Sequence, residues 1–120
     1  MTEKAKVLVV DDESAVADSL VAVLKYGGFD ATGVYGPLEA LEALRSDCPD
    51  ILLSDVLMPK MSGIELAQAA VTVCPAIRIV LISGQAATTP YLEQARAQGY
   101  EFDLLPKPIH PQELLERLRS

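Results

Sequence analysis

The chain has 120 residues, of which 22% are charged, and 17 acidic side chains against 10 basic ones give it a formal net charge of −7. This length fits one domain, and a chain that is 50% hydrophobic can bury a core, which excludes a disordered or fibrous protein. The acidic balance argues against direct binding to nucleic acid or to an anionic membrane surface. We therefore expect one globular domain over residues 1–120, without nucleic acid or membrane as a partner.

The apolar stretches of the chain are short. Residues 1–4 lack the apolar stretch of a signal peptide, and runs such as Val7 to Val10 fall far below the roughly 20 residues of a membrane span. We therefore expect a soluble, cytoplasmic protein. Cys48 and Cys74 match no zinc-binding spacing, so we expect two ordinary buried thiols.

Short apolar runs rich in β-branched residues alternate along the chain with longer segments of helical period. In chain order the predicted elements are a strand at Lys6 to Val10, a helix marked by Leu20 and Leu24, a strand at Ala31 to Tyr35, a helix marked by Leu38 and Leu41, a strand at Ile51 to Ser54, a helix marked by Ile64 and Ala67, a strand at Arg78 to Ile82, a helix marked by Leu92 and Ala95, a short strand at Asp103 to Leu105, and a helix marked by Leu114 and Leu118.

Five consecutive strand-then-helix units determine the fold class. Parallel strands need helical crossovers, and these crossovers are right-handed, so helices cover both faces of the sheet. Ser62 and Glu65 form the pattern of a capping box, which supports the start of the third helix. We predict an α/β fold with a single doubly wound, five-stranded parallel sheet of the flavodoxin-like type, in strand order 2-1-3-4-5.

Ionisable and hydroxyl side chains follow four of the five predicted strands. The first strand is followed by Asp11 and Asp12, the third by Asp55, the fourth by Ser83 and the fifth by Lys107. In an open α/β sheet the functional crevice lies outside the carboxyl ends of the strands. We therefore expect these side chains to converge on one rim of the sheet.

These residue types suit phosphoryl chemistry assisted by a cation. Clustered carboxylates repel each other, and oxygen ligands without histidine or thiol favour Mg²⁺ or Mn²⁺ over zinc. Asp55 is the best nucleophile for an acyl phosphate, because Asp11 and Asp12 are better placed to hold metal, while Ser83 and Lys107 can contact phosphoryl oxygens. Each residue alone also has an ordinary role as a helix-start, turn or solvated side chain. Their coincidence at the strand ends favours a site.

Four stretches at these positions resemble the receiver domain of two-component response regulators, over essentially the whole chain. The stretches are Val7-Leu8-Val9-Val10-Asp11-Asp12-Glu13, Leu53-Ser54-Asp55-Val56-Leu57-Met58-Pro59 with Met61-Ser62-Gly63, Ile82-Ser83-Gly84, and Lys107-Pro108. The resemblance implies that Asp55 accepts a phosphoryl group from a histidine kinase or a histidine phosphotransfer protein. It also implies that the domain acts on a downstream protein or an attached output domain, and that it is not a turnover enzyme.

The resemblance further implies roles for the neighbours of the phosphoacceptor. Together with the phosphoacceptor carboxylate, Asp11, Asp12 and the backbone carbonyl of Leu57 would hold Mg²⁺, with Asp11 contacting the ion through water. Ser83 and Lys107 would contact the phosphoryl group. The peptide bond after Lys107 is commonly cis in this family.

One position departs from the family pattern. Leu104 stands where receiver domains usually carry the aromatic residue of their conformational switch, and Tyr100 and Phe102 lie near that position but out of register. We therefore expect the loop from Gly84 to Thr89 to respond to phosphorylation instead. The alternative is that Leu104 is an ordinary core residue and that Tyr100 or Phe102 acts as a displaced aromatic switch.

Two other functions remain as alternatives. A pseudo-receiver would bind a protein partner without being phosphorylated, and the complete acidic set argues against it. A metal-dependent phosphatase of the haloacid-dehalogenase type would carry a second aspartate two residues after the nucleophile. Leu57 occupies that position here.

Overall fold

The structure is a computed structural model that describes residues 4–84, 89–100 and 102–119. Five strands and five helices alternate along the chain, as the sequence predicts. They are β1 (Lys6–Val10), α1 (Ser14–Tyr26), β2 (Asp30–Val34), α2 (Pro37–Ser46), β3 (Ile51–Asp55), α3 (Gly63–Val73), β4 (Arg78–Ser83), α4 (Thr89–Ala97), β5 (Asp103–Pro106) and α5 (Pro111–Arg119). Among the residues described, no helix is both long enough and apolar enough to cross a bilayer.

The strands form one parallel sheet in the order β2-β1-β3-β4-β5, which confirms the predicted fold class and strand order. Three strands extend one residue beyond their predicted ends, because backbone pairing continues past the last apolar side chain. Asp55 pairs with Ile82, and Ser83 pairs with Pro106. Two of the predicted site residues are therefore the last residues of strands, which places them on the rigid edge of the sheet.

Alternate side chains of the strands fill two separate cores. Val7 and Val9 of β1 pack on the side of α1 and α5, whereas Leu8 and Val10 pack on the side of α2, α3 and α4. All four β1 side chains are at most 5% exposed. Such double burial explains why the strands are continuous apolar runs in the sequence.

Helix boundaries follow local capping rules. The Ser62 hydroxyl accepts a hydrogen bond from the Glu65 N–H at 3.1 Å, and the Glu65 carboxylate accepts one from the Ser62 N–H at 3.2 Å. This is the predicted capping box at the start of α3. Gly28 and Gly99 follow α1 and α4 with φ angles of 92° and 90°, a conformation that side chains with a Cβ rarely adopt.

Cys48 and Cys74 form a disulfide, so the prediction of two ordinary buried thiols is wrong. Cys48 lies just after α2, and Cys74 caps the carboxyl end of α3. The two helices are neighbours on one face of the sheet, and they bring the two Cα atoms within 5.8 Å, a normal distance for a disulfide. The sequence spacing of 26 residues excludes common zinc motifs but carries no information about this proximity between helix ends.

The edge strand β5 is short and ends in a proline. The Lys107 N–H donates to the Ser83 carbonyl at 3.1 Å, so the nitrogen of the preceding Pro106 faces the free edge of the sheet. Arg78 of β4 holds the other end of β5, donating to the Asp103 carboxylate at 3.1 and 3.2 Å and to the Arg117 carbonyl of α5 at 2.9 Å. These contacts fix the strand that leads directly to Lys107.

Candidate functional site

The predicted site residues all lie at the carboxyl edge of the sheet. Asp11 and Asp12 follow β1, Asp55 and Ser83 end β3 and β4, and Lys107 follows β5. Because the strands are parallel and adjacent, their carboxyl ends meet along one rim. The sheet topology therefore brings these side chains to one rim, as the sequence predicts.

The Asp55 carboxylate makes two charge-assisted contacts. Its Oδ2 atom lies 3.0 Å from the Lys107 ammonium, and its Oδ1 atom accepts a hydrogen bond from the Leu57 N–H at 3.2 Å. The Asp55 side chain is 13% exposed, so it is partly buried yet reachable from solvent. A carboxylate held at both oxygens and open on one side is oriented for reaction with an incoming group.

Asp11 is the most buried charged residue among those described, with 3% of its surface exposed. Burial raises the pKa of its carboxyl, and the neighbouring charges of Asp55 and Asp12 raise it further. A hydrogen bond from the Glu13 N–H at 2.9 Å and the charge of Lys107 act in the opposite direction. The net upward shift shows that negative charge is held here at a cost, which a nearby cation would relieve.

The Lys107 ammonium is the positive charge of the site. Burial alone would lower its pKa, but the hydrogen bond and charge of Asp55, with contributions from Asp11 and Glu13, outweigh burial and raise it. Lys107 is therefore cationic at neutral pH. Its peptide bond to Pro108 is cis, as the family resemblance implies.

The loop after Asp55 turns tightly at Lys60, a position that no sequence pattern singles out. Lys60 has a φ of 71°, and the Met61 N–H donates to the Pro59 carbonyl at 2.8 Å, which is the hydrogen-bond pattern of a γ-turn. Gly63 then packs on the backbone of Asp55, where any Cβ would overlap the Asp55 carbonyl oxygen. The turn and the glycine together bring the start of α3 against the end of β3.

The oxygen donors at the rim suit a hard divalent cation. Within the described ranges, no three His, Cys, Asp or Glu side chains stand close enough to enclose an ion by themselves. Mg²⁺ commonly takes only one or two carboxylates and keeps several waters, so a complete carboxylate cage is not required. Buried Asp11 and exposed Asp12, next to each other at the end of β1, offer carboxylates of the right chemistry.

Two features beside the rim are not predicted from the sequence. The Tyr35 hydroxyl, just after β2, donates to the Asp18 carboxylate of α1 at 2.7 Å, and this contact raises the pKa of Tyr35. A shallow, mainly apolar groove also runs along the other side, between α1 and the segment that follows β5. Its lining residues are Ala15, Val16, Ser19, Leu20, Lys107, Pro108 and Ile109.

Most of the loop that we expect to respond to phosphorylation lies outside the described residues. Of the loop from Gly84 to Thr89, positions 85–88 lie outside the described residues. Phe102 and Leu104 are both half-buried against the core on the α3 and α4 side, and the Phe102 ring stacks on Tyr100 with a centroid distance of 5.7 Å. The aromatic ring that shares a face with Leu104 therefore lies two residues earlier in the chain.

Comparisons with known proteins give a consistent result. A family model for the response regulator receiver domain matches residues 7–119. The response regulator MprA of Mycobacterium ulcerans (strain Agy99) is 33% identical over 115 residues, covering 96% of this chain and 49% of that protein. MprA of Mycobacterium avium (strain 104) is 32% identical, with 96% of this chain and 50% of that protein covered. The chain thus spans about half the length of the curated relatives that it matches.

Solved structures of similar fold include receiver domains. A response regulator receiver domain protein from Clostridium thermocellum superposes with a TM-score of 0.86 at 26% identity, covering 96% of this chain and 91% of that one. The chemotaxis protein CheY4 of Vibrio cholerae superposes with a TM-score of 0.86 at 27% identity, covering 98% of both chains.

Proposed function

Because the chain belongs to the response regulator receiver domain family, the phosphoacceptors of two-component systems, we propose that Asp55 is its phosphoacceptor. The observation that carries this proposal is the contact of 3.0 Å between the Asp55 carboxylate and the Lys107 ammonium, beside buried Asp11. Asp55 is partly exposed, whereas Asp11 is closed off from solvent, so of these two carboxylates Asp55 is the one that an incoming phosphoryl group can reach.

The chemistry follows from this arrangement. A carboxylate oxygen of Asp55 attacks the phosphorus of a phosphohistidine, the bond from phosphorus to the histidine nitrogen breaks, and an acyl phosphate forms on Asp55. Lys107 then has new anionic oxygens within reach of its ammonium, and the Ser83 hydroxyl can donate to the same group. The product stays covalently attached, so we propose a signalling domain and not an enzyme that turns over an external substrate.

Receiver domains of this family generally bind Mg²⁺ at the phosphorylation site, and the donor chemistry of this rim fits that ion. We propose that Asp12, Asp55 and the backbone carbonyl of Leu57 hold Mg²⁺, or Mn²⁺ in its place, and that Asp11 contacts the ion through a water molecule. The raised pKa of Asp11 supports this, because burial and, to a lesser degree, the charges of Asp55 and Asp12 disfavour its ionised form, which a nearby cation would stabilise. When bound, the ion would neutralise the carboxylates and offer positions to phosphoryl oxygens.

We propose a histidine kinase or histidine phosphotransfer protein as the donor, and the groove between α1 and the segment after β5 as its contact surface. Lys107 contributes to both the groove and the site, so a protein seated there has its reactive group close to Asp55. A downstream protein or an attached output domain would respond to the phosphoryl group. We place this signalling in the cytoplasm.

Acetyl phosphate, a small-molecule donor, tests the phosphoacceptor directly. With Mg²⁺ present, the intact protein should gain about 80 Da, the mass of one phosphoryl group, because an acyl phosphate forms on one carboxylate. Asp55→Asn should gain no mass. Asp50 lies at the opposite end of β3 and provides the matched control, since Asp50→Asn should be phosphorylated like the wild type. Phosphorylation of Asp55→Asn to the wild-type extent would disprove the assignment, and no phosphorylation of any variant would favour a pseudo-receiver.

A protein donor tests the groove separately. Ser19→Arg places a large side chain in the groove, whereas Ala22→Arg changes the same helix one turn further on, outside it. Phosphotransfer from a phosphorylated histidine phosphotransfer protein should slow at least tenfold in Ser19→Arg alone, because a steric block removes docking contacts. Reaction with acetyl phosphate should be the same in both variants. Equal phosphotransfer rates would exclude the groove as the contact surface.

A further inference from the structure

The disulfide lies at the edge of the sheet opposite the phosphorylation site. Cys48 is exposed in the loop between α2 and β3, whereas Cys74 at the end of α3 is only 4% exposed. Cys48 is therefore the residue of the pair that faces solvent, and Cys74 is part of the core on the α3 side.

The two hydrophobic cores should keep the protein folded when the disulfide is reduced. Small secreted domains need disulfides when their cores are too small, but this chain has two extended cores, one on each face of the sheet. The reduced sulfurs would also find acceptors, because Cys74 Sγ lies 3.8 Å from the Leu44 carbonyl and Cys48 Sγ lies 3.9 Å from the carbonyls of Leu44 and Val73. Each thiol would therefore have a backbone acceptor within reach after reduction.

We propose that Cys48 and Cys74 are a reversible dithiol–disulfide site, in which the exposed Cys48 reacts first with a low-molecular-weight disulfide. The Cys48 thiolate attacks one sulfur of that disulfide, forming a mixed disulfide and releasing one thiol. The Cys74 thiolate then attacks the Cys48 sulfur, closing the internal disulfide and releasing the second thiol. The two cysteines lose two protons and two electrons, and the external disulfide is reduced to two thiols.

The internal bond closes a loop around the segment that carries the phosphoacceptor. Residues 48–74 include β3, Asp55, the γ-turn and α3. Closing this loop restricts the unfolded chain and ties the carboxyl end of α3 to the end of α2. Since the bond lies at the far end of β3 from Asp55, oxidation should stabilise the fold without being required for phosphorylation. The reactivity of the two cysteines therefore does not depend on whether Asp55 is the phosphoacceptor.

Trapping experiments on the full chain test the order of the two steps. Reduced wild-type protein is incubated with oxidised glutathione and followed by intact mass, beside Cys48→Ser and Cys74→Ser. The wild type should end lighter by two hydrogen atoms, without a lasting adduct. Cys74→Ser should keep glutathione on Cys48, because no second thiol resolves it. Cys48→Ser should react at least tenfold more slowly, because Cys74 is buried.

Thermal unfolding measures the consequence of closing the loop. The oxidised wild type should melt roughly 5–15 °C above the reduced protein, and dithiothreitol should reverse the difference. Both single variants should melt near the reduced wild type whether or not oxidant is present. The proposal fails if Cys48→Ser reacts as fast as Cys74→Ser, if wild-type adducts accumulate without closing, or if dithiothreitol does not return the protein to its reduced melting temperature.

Discussion

Each edge of the sheet carries a cluster of three aspartates and one lysine, yet only one of the two clusters has the features of a reactive site. The clusters are Asp11, Asp12, Asp55 and Lys107 at the carboxyl edge, and Asp30, Asp47, Asp50 and Lys6 at the amino edge. The amino edge also carries the ion pair of Arg78 and Asp103, which lies outside this cluster.

The edges differ first in burial. At the amino edge, Lys6 pairs with Asp47 at 3.1 Å, but their side chains are 53% and 71% exposed. At the carboxyl edge, Lys107 pairs with an Asp55 side chain that is only 13% exposed. Water screens the first pair and much less the second, so the second holds stronger electrostatic interactions.

The causes of the lysine pKa shifts show the same difference. The pKa of Lys6 is raised chiefly by the hydrogen bond and charge of Asp47, and the opposing contribution of burial is smaller than either. For Lys107 burial is the largest single influence and acts downward, yet Asp55, Asp11 and Glu13 together overcome it. Residue types alone therefore do not distinguish the two edges. The partial burial of the charged side chains at the carboxyl edge is what sets that edge apart.

The largest difference between the edges should appear when each lysine is replaced. Lys107→Gln should lower the initial rate of phosphorylation by acetyl phosphate by roughly tenfold to hundredfold, because the ammonium stabilises charge that develops on the phosphoryl oxygens. Lys6→Gln at the amino edge should leave that rate unchanged. Rates are measured at saturating Mg²⁺ and acetyl phosphate, and equal rates for the two variants would show that Lys107 does not act on the phosphoryl group.

Metal binding should separate the edges by about one order of magnitude. Asp12→Ala should weaken Mg²⁺ binding roughly tenfold, because it removes one of few carboxylate ligands. Asp47→Ala removes an exposed aspartate of the other edge and should not change the affinity. Calorimetric titration of both variants with MgCl₂ gives the comparison, and unchanged affinity in Asp12→Ala would remove Asp12 from the ligand set.

Removing the charge of Asp11 should stabilise the metal-free protein, whereas Lys107→Gln should slow phosphorylation and Asp12→Ala should weaken Mg²⁺ binding. Burial raises the pKa of Asp11 above its ordinary value of 3.8. A carboxyl of this kind favours the folded state only below its unfolded pKa, and this contribution is lost as the pH rises through the folded pKa. Ionised Asp11 therefore destabilises the metal-free fold at pH 7, and Asp11→Asn should raise the melting temperature by a few degrees.

The pH dependence of that gain is the check. In metal-free buffer the gain for Asp11→Asn should be largest near pH 7 and fade at acidic pH, where Asp11 is protonated in both states. Asp30→Asn, an exposed aspartate at the amino edge, should show no comparable gain. A gain that does not depend on pH would have to come from packing and not from the charge of Asp11.

The smallest effect belongs to the exposed pair at the amino edge. Asp47→Ala removes the ion pair with Lys6 and should shift the melting temperature by less than about one degree, since exposed pairs contribute little. Reduced and oxidised protein should be compared separately, because Cys48 is the next residue. A drop of several degrees in both states would mean that the amino edge depends on its charges more than its exposure suggests.

The sequence predicts the carboxyl edge well because the relevant information is local. A buried strand is a continuous apolar run, and the residue that ends the run lies at the rim. Asp11, Asp55 and Lys107 could therefore be located from their own neighbours in the chain. The strand ends at Asp55 and Ser83 extend further than predicted because backbone pairing, and not side-chain type, sets them.

The features that the sequence analysis missed depend on contacts between distant segments or on backbone angles. Cys48 and Cys74 meet because two helices end side by side, and no local pattern encodes that. Lys60 adopts a conformation that is uncommon for a residue with a Cβ, so its residue type gave no indication of the γ-turn. The contact of Tyr35 with Asp18 likewise joins the end of a strand to a helix that precedes it.

Pro106 has a consequence for the way this protein meets other chains. An exposed edge strand offers unpaired N–H and C=O groups on which a further strand can assemble, the route by which sheets join into larger aggregates. At the end of β5 the Pro106 nitrogen faces that free edge, where it provides no donor. The backbone N–H of Lys107, the next residue, points the other way and donates to the Ser83 carbonyl. With β5 only four residues long, a foreign strand would find few donors along this side. The sheet is thus protected against strand addition at the very end where Lys107 must stay free to reach Asp55.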